Sequence, residues 1–431
     1  RRVYAPGKDD SFKLAVYLVL GIGGVRMLDE LGYDVSTYHM NEGHASFLTL
    51  ELLRRNDRDA EAVREQCVFT THTPVAAAHD EYHYDLLDEL MGDIVPIETV
   101  KEYSPEGMVH TTRLALNLSR YVNGVAKRHQ EVSREMFPEH AGNIDAITNG
   151  AHVPTWVGDH MAEVFEENIR DWQVYPTKLQ HATLIDDEPL WEAHQSQKRE
   201  LIEYVHERTG VELDEDVLTL GFARRAVPYK RAPLLFEDKD RLREVVARGG
   251  DIQIVYAGKA FPGDEQGKDI IREIFSHAED LAGEITITYL EDYDMEMGLQ
   301  LTSGVDVWLN NPRRPREASG TSGMKAAFNG VPQFSTIDGW WVEGHIEGET
   351  GWSIGPEPHS PREERMNDAQ EDLVDATALY DTLEQEVLPT YYEDRDAWIE
   401  IMRNAIAFNG SRYHARRMME EYLATAYTPE N

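Results

Sequence analysis

Cysteine occurs once in this chain of 431 residues, as Cys67. A single cysteine excludes an internal disulfide framework and suits a reducing compartment, so the cytoplasm is the expected location. In the apolar run CVFTTHT, Cys67 reads as a buried strand residue rather than a nucleophile. Uninterrupted apolar runs of the ~20 residues needed to span a bilayer are missing. The opening segment RRVYAPGKDDSFKLAVYLVLGIGG has only a short apolar stretch, with acidic residues before it and no clear small-residue cleavage site. It is therefore not read as a signal peptide. Positive charge is also scarce. The formal net charge is −37, and only 11 of the 42 basic residues are lysine. Such a surface repels nucleic acid and acidic membranes, which excludes both as expected partners. Abundant carboxylates with little lysine point to a halophilic source, because the Debye length falls to about 3 Å at 1 M salt and self-repulsion is then screened.

The chain has enough apolar material to fold: 41% of residues are hydrophobic and 9% aromatic. Chains beyond about 250–300 residues usually divide into domains. No internal repeat or low-complexity tract is visible. LAVYLVLGIGGVRMLDELG has helical spacing, STYHM leads into a loop and the helix of NEGHASFLTLELLRR, and CVFTTHT reads as a strand opening into a loop. Residues 107–137 read as one or two helices, and AITNGAH as a short strand and turn. A charged helical connector follows, then VLTLGFA, DIQIVYAG, EITITYLE and VDVWLNN, short apolar runs that suit parallel strands covered on both faces. The expected fold is α/β, with two Rossmann-like doubly wound domains facing a cleft. Residues 1–205 form the first domain with its connector, 206–400 the second, and 401–431 a helical tail.

Four segments carry candidate chemistry. In NNPRRPREASGTSGMKAAFNG, residues 310–330, a small-residue turn leads to Lys325 just inside a helix start. Small residues admit a ligand close to the backbone, and helix-start amides bind anions. Lys325 is then a phosphate contact or a reactive amine, although composition alone equally allows a tight turn with a solvated lysine. In GFARRAVPYKR, residues 221–231, Arg224, Arg225, Lys230 and Arg231 crowd one strand–loop junction. That is an anion site or ordinary pairing with the many carboxylates. YHMNEGHASF offers His39, Asn41, Glu42 and His44 without the HExxH zinc spacing, so no metal is expected. TTHTPVAAAHD puts His72 in a loop at a strand's carboxyl end. GIGGVR lacks the third glycine of a dinucleotide fingerprint, and GDEQGKD is not a Walker loop.

These segments, with YVNGVAKRHQEVSREMF, ITNGAHVPTW, AGKAFPGDEQGK, LEDYDMEMG and DGWWVEG, occur in the same order as in the α-glucan (glycogen, starch, maltodextrin) phosphorylase family. From about residue 12 onward the chain resembles its short prokaryotic branch, haloarchaeal in type. The resemblance implies the GT-B arrangement of two Rossmann-like domains. It implies pyridoxal 5′-phosphate on Lys325 as the Schiff-base lysine, matched through EASGTSGMK. It also implies that Arg225 and Lys230 bind the substrate and cofactor phosphates, and that Thr321, Ser322 and Gly323 donate to the cofactor phosphate. Tyr293 and Trp156 would pack beside the cofactor. His72, Asn149, Glu317, Ser319 and Gly320 would line the glucosyl pocket, with Glu42 and His44 near it. Family members begin well before residue 1 and carry a glycine-rich loop there, so the first domain is expected to be incomplete. Arg224 stands where a lysine is often found, and Ala77 and Ala78 where a more glycine-containing loop is usual.

The implied reaction is retaining phosphorolysis of α-1,4-glucan, giving α-D-glucose 1-phosphate. The competing readings are a nucleotide-sugar glucosyltransferase of the same architecture and a non-catalytic glucan-binding protein. The expected partners are α-glucan and inorganic phosphate, and a homodimer is one assembly the sequence allows. The charge balance yields its own test: the thermal unfolding midpoint should rise from dilute buffer to molar KCl, and equal midpoints would remove the case for salt adaptation.

Overall fold

A computed structural model of the chain describes residues 10–105, 107–359 and 366–428. Residues 1–9 of the opening segment and 429–431 of the expected tail lie outside this description. Contacts divide the chain into two compact units, Arg1–Thr148 with Glu420–Asn431, and Asn149–Met419. This boundary falls well ahead of the expected 205. The reason is the 23-residue helix Asp187–Thr209, the supposed connector, which packs against the helices Asp159–Asn168 and Met295–Gly304 of the second unit. The expected tail is likewise divided, Arg395–Asn404 belonging to the second unit and Tyr422–Tyr427 to the first.

The first unit holds a parallel four-stranded sheet and a small antiparallel pair. The strands are β1 (Tyr38–Asn41), β2 (Cys67–Thr70), β3 (Glu81–Tyr82), β4 (Val109–His110), β5 (Tyr121–Gly124) and β6 (Ile144–Ala146). The sheet order is β1-β2-β5-β6, and β3 pairs with β4. The strand β5 adds to the reading of residues 107–137 as one or two helices, which placed no strand there. The helices Thr111–Asn117 and Lys127–Met136 are present, but YVNG between them pairs with β2 on one side and β6 on the other. A four-residue buried strand has too few residues to display a period. Cys67 lies buried in β2, where burial pushes its thiol up to about 12.

The segment Asp10–Glu30 forms one continuous helix with a π-helical turn at Val19–Gly23. It is longer than the short apolar stretch read from the sequence, and by length and composition it could cross a membrane. Its Leu14, Leu18, Ile22 and Val25 are nonetheless packed into the core of this unit. Gly21 explains part of GIGGVR: a Cβ there would come within 2.5 Å of the Leu48 backbone nitrogen, so the glycine permits the helix to approach that backbone closely.

The second unit is built on a parallel six-stranded sheet in the order β12-β11-β10-β7-β8-β9. Its strands are β7 (Leu218–Ala223), β8 (Ile252–Ala257), β9 (Thr286–Leu290), β10 (Val307–Asn310), β11 (Gln333–Thr336) and β12 (Gly351–Ile354). The last two were not singled out from the sequence. β7, β8 and β10 are buried along their whole length, as helices on both faces require. The chain winds one way through β7, β8 and β9, then the other way through β10, β11 and β12. The reversal between β7 and β10 is a topological switch point, and ligands in such sheets bind outside the carboxyl ends of the strands there.

One buried charge cluster fastens the long helix to this sheet. The Lys198 ammonium donates to Asp306 Oδ2 at 2.6 Å, to the Val217 carbonyl at 2.8 Å and to the Tyr391 hydroxyl at 2.9 Å. His194 Nε2 meets the other oxygen of Asp306 at 2.8 Å. Burial pushes the Asp306 carboxyl up, but Lys198 and His194 outweigh this and hold it below its ordinary value. Asp306→Ala leaves the Lys198 charge buried and unpaired. It should lower unfolding stability by about 3–5 kcal/mol in urea titration, whereas the paired change Lys198→Met with Asp306→Leu should cost far less.

Candidate active site

The loops that leave β7 and β10 flank the switch point, and their side chains converge on one carboxylate. Glu317, in the loop after β10, is buried. It accepts from Arg224 Nη2 and from the Lys230 ammonium, both from the loop after β7. Arg224 also donates to Asn310 Oδ1 at the end of β10. Burial raises the Glu317 carboxyl, but Arg224 and Lys230 overcome this and hold it at about 2. Burial, with Arg224 beside it, pulls Lys230 down to about 7 against the attraction of Glu317. The Lys230 ammonium also stands 4.6 Å from the centre of the Tyr229 ring. Arg225 is exposed and reaches the Tyr229 side chain.

The four basic residues of GFARRAVPYKR therefore separate into two groups. Arg224, Arg225 and Lys230 remain around the switch point. Arg231 turns away and pairs with Asp372 at 3.0 Å and Asp375 at 2.7 Å. Arg313 and Arg314 join it on the same acidic helix, Asp368–Thr382, through Asp372 and Asp375 respectively. For these three the ion-pairing alternative is the one realised, and they brace the loop rather than line it.

The small-residue turn is held from behind by a residue that sequence reasoning did not single out. Asp338, in DGWWVEG, accepts from the Glu317 amide and from the Gly339 amide, both at 2.8 Å. The Trp340 amide donates to the Ser319 carbonyl at 2.9 Å. Gly320 adopts φ +89, the left-handed region that glycine occupies without strain, and starts the helix Thr321–Ala327. Among the described residues, the buried Ser319 hydroxyl has no hydrogen-bond partner. The Ser322 hydroxyl accepts from the Trp308 indole at 3.2 Å. Gly323 is pinned against Gln333, whose Oε1 would lie 1.5 Å from any Cβ placed there.

Lys325 projects from this helix with its ammonium 3.5 Å from the centre of the Trp156 ring. Burial alone pulls it down to about 8, so the amine gives up its proton more readily than an exposed lysine while staying mostly charged at pH 7. Trp156 and Tyr293 share the neighbourhood of Gly298, where an added Cβ would meet the Tyr293 hydroxyl at 2.7 Å and the Trp156 ring at 3.3 Å. Lys325, Trp156 and Tyr293 thus form a half-buried nest around an amine of lowered basicity. The Asn149 carbonyl accepts from Arg417 at 2.9 Å.

In the first unit the carboxyl ends of β1 and β2 bring Glu42 and His72 together. The Glu42 carboxylate accepts from the Gly43 amide at 2.7 Å, the His72 amide at 2.6 Å and the Thr73 hydroxyl at 2.9 Å. Its backbone sits at φ +76 to do so. The carboxylate is committed to shaping the loop that presents His72, whose Nε2 is bonded to Asn41 Oδ1. Burial lowers the His72 imidazole, His44 adds to that, and Glu42 opposes it. The His44 ring lies 5.5 Å from that of Tyr17.

A family model described as carbohydrate phosphorylase matches residues 96–426. The chain is 38% identical to a glycogen phosphorylase of Aquifex aeolicus, across 99% of this chain and 67% of that protein. It is 39% identical to a maltodextrin phosphorylase of Thermococcus litoralis, across 95% of this chain and 53% of the relative. A glycogen phosphorylase of Mycobacterium tuberculosis is 34% identical across 98% of this chain and 55% of its own length. The chain therefore spans between about half and two thirds of these relatives. The titration of Lys230 can be read directly. The affinity for sulfate, a dianion across this range, should fall as pH rises through about 7, because Lys230 loses its charge there. In Glu317→Gln the fall should move to lower pH. A flat calorimetric profile would separate Lys230 from anion binding.

Proposed function

Because the chain belongs to the carbohydrate phosphorylase family, we propose that it carries out retaining phosphorolysis of α-1,4-glucan, releasing α-D-glucose 1-phosphate. The observation that carries this reading is the pairing of two features around one switch point: a half-buried amine of lowered basicity, Lys325, and the Arg224–Glu317–Lys230 cluster. The proposed cofactor is pyridoxal 5′-phosphate. Its fit rests on the chemistry of the donor set. Lys325 is the amine with a lowered affinity for protons, Trp156 and Tyr293 offer flat apolar walls, and the Ser319 hydroxyl is buried without a partner among the described residues. When bound, the cofactor supplies a phosphate that can exchange a proton or charge with the substrate phosphate.

The residues of the chain do the rest. Lys325 holds the cofactor, while Thr321, Ser322 and Gly323 offer donors to its phosphate. Lys230 and Arg225 hold anionic oxygens, with Arg224 keeping the Glu317 carboxylate in place. Two phosphates close together repel strongly, and fixed cations in a partly desolvated loop offset that repulsion better than water does. Glu317, Ser319, Gly320 and Asn149 would orient the glucosyl unit; in the first unit, taken by itself, His72 is offered as a sugar contact. The lowered basicity of His72 favours a neutral imidazole, which suits a hydrogen bond to a sugar hydroxyl rather than a cationic contact. Glu42 acts as a positioning residue for His72, with His44 beside it. No pair of catalytic carboxylates of the hydrolase kind is required. The proposed setting is the cytoplasm, where the buried Cys67 thiol needs no partner.

Lys325→Ala should abolish both the cofactor absorbance and phosphate-dependent release of glucose 1-phosphate from maltodextrin. A variant that still released it would remove Lys325 from the reaction. Turnover of a nucleotide sugar by the parent, without phosphorolysis, would favour the glucosyltransferase reading.

A further inference from the structure

Gln333 opens β11, whose neighbours in the sheet are β10 and β12. It stands opposite Trp308 on one side and Gly351 on the other, and only 2% of its surface is exposed. A parallel strand covered on both faces calls for an apolar side chain, as Phe334 provides at the next position. Gln333 instead buries a carboxamide. Among the described residues neither its nitrogen nor its oxygen has a hydrogen-bond partner. Such a group destabilises the fold, because the water it gave up is not replaced. An apolar side chain of similar volume would avoid that loss.

The carboxamide lies against Gly323. That glycine is not among those of positive φ, so its backbone would admit another residue. Space excludes one: a Cβ would meet Gln333 Oε1 at 1.5 Å, Gln333 Cδ at 2.7 Å and Trp340 Cζ2 at 3.2 Å. The helix Thr321–Ala327 thus forgoes a side chain, and a polar group from the strand takes its place. Two further polar groups without a partner among the described residues border the same turn, the Trp340 indole nitrogen and the Ser319 hydroxyl. The Trp340 amide donates to the Ser319 carbonyl at 2.9 Å, which ties them together. Gln333, Trp340 and Ser319 are each more than nine-tenths buried. Packing of protein on protein does not account for three unpartnered polar groups along one turn. A ligand rich in hydrogen-bonding oxygens does.

We propose that Gln333 is a cofactor-positioning residue: its carboxamide backs Gly323 and directs hydrogen bonding at the phosphate end of the pyridoxal 5′-phosphate site. The inference rests on the reading that Lys325 holds this cofactor. A carboxamide offers a donor to phosphate oxygens without adding charge. It does so where Thr321, Ser322 and Gly323 are proposed to meet that phosphate. A side chain that weakens the fold and serves a ligand is a known compromise between stability and function. A donor to the phosphate also favours its more highly charged form.

The test compares the parent holoenzyme with Gln333→Met, which keeps the length of the side chain and removes both polar atoms. Two measurements are made without turnover: the rate of cofactor loss during dialysis, read by absorbance, and the phosphorus NMR resonance of the bound cofactor phosphate as a function of pH. Gln333→Met should lose the cofactor about three- to tenfold faster. It should also move the midpoint of the phosphate titration upward by about 0.5–1 pH unit, because the charged form loses a donor. Gln333→Asn, which draws the carboxamide back from Gly323, should act in the same direction and serves in its place if Gln333→Met fails to fold. A folded variant with the parent's rate and titration overturns the proposal. Faster loss with an unchanged titration also overturns it, since that assigns Gln333 to packing alone. A parent that shows neither cofactor absorbance nor a phosphorus resonance undoes the reading of Lys325, whereas a parent that shows both, with variants that match it, undoes only the role of Gln333.

Discussion

The second unit depends on one buried carboxylate. Glu317 draws Arg224 and Lys230 from the loop after β7 onto the loop after β10, and so closes the switch point across its two sides. Without that charge, two cations at neighbouring strand ends would repel one another in a poorly solvated space. With it, the loops are fixed and a lysine of much-reduced basicity is retained. Asp338 extends the arrangement by fixing the Glu317 amide, so the position of the carboxylate is set from the backbone side as well.

Acidic residues serve two ends in this chain. Most contribute to a surface of high net negative charge. A smaller number, on the helix Asp368–Thr382, meet Arg231, Arg313 and Arg314 and hold the loop that follows β10 from its outer side. Basic residues are outnumbered, 42 against 79 acidic, and their distribution is correspondingly informative. Arg225 is exposed and Lys230 buried within the same short segment, so one presents a charge to solvent while the other is held at the edge of losing it.

Much of this was legible in the sequence. The parallel strands β7, β8, β9 and β10 appear as short apolar runs because both of their faces are covered, and Lys325 stands out because small residues precede it. The sequence did not reveal β5, whose four residues include asparagine and glycine and carry no periodic signal. Nor did it reveal the true position of the long helix: its charged surface reads as a connector, while Lys198 and His194 are buried against Asp306. A buried ion pair leaves no trace in a hydrophobic pattern, since its members look like surface residues. The same ambiguity hid the division of the basic cluster. Arg224 and Arg231 are chemically identical in a string of letters, and only Asp372 and Asp375, distant in sequence, distinguish them. Asp338 lay in a motif quoted only for its family resemblance, and its role appears only once β11 brings it behind the turn.

The sealed contact between Lys198 and Asp306 has a consequence for behaviour in brine. Dissolved ions weaken attractions that water can reach, and almost all the ion pairs on this surface are of that kind. Lys198 and Asp306 have no exposed side-chain surface, so no counter-ion can come between them. Whatever the salinity does to the outer shell, the helix and the sheet keep a fastening that is blind to it.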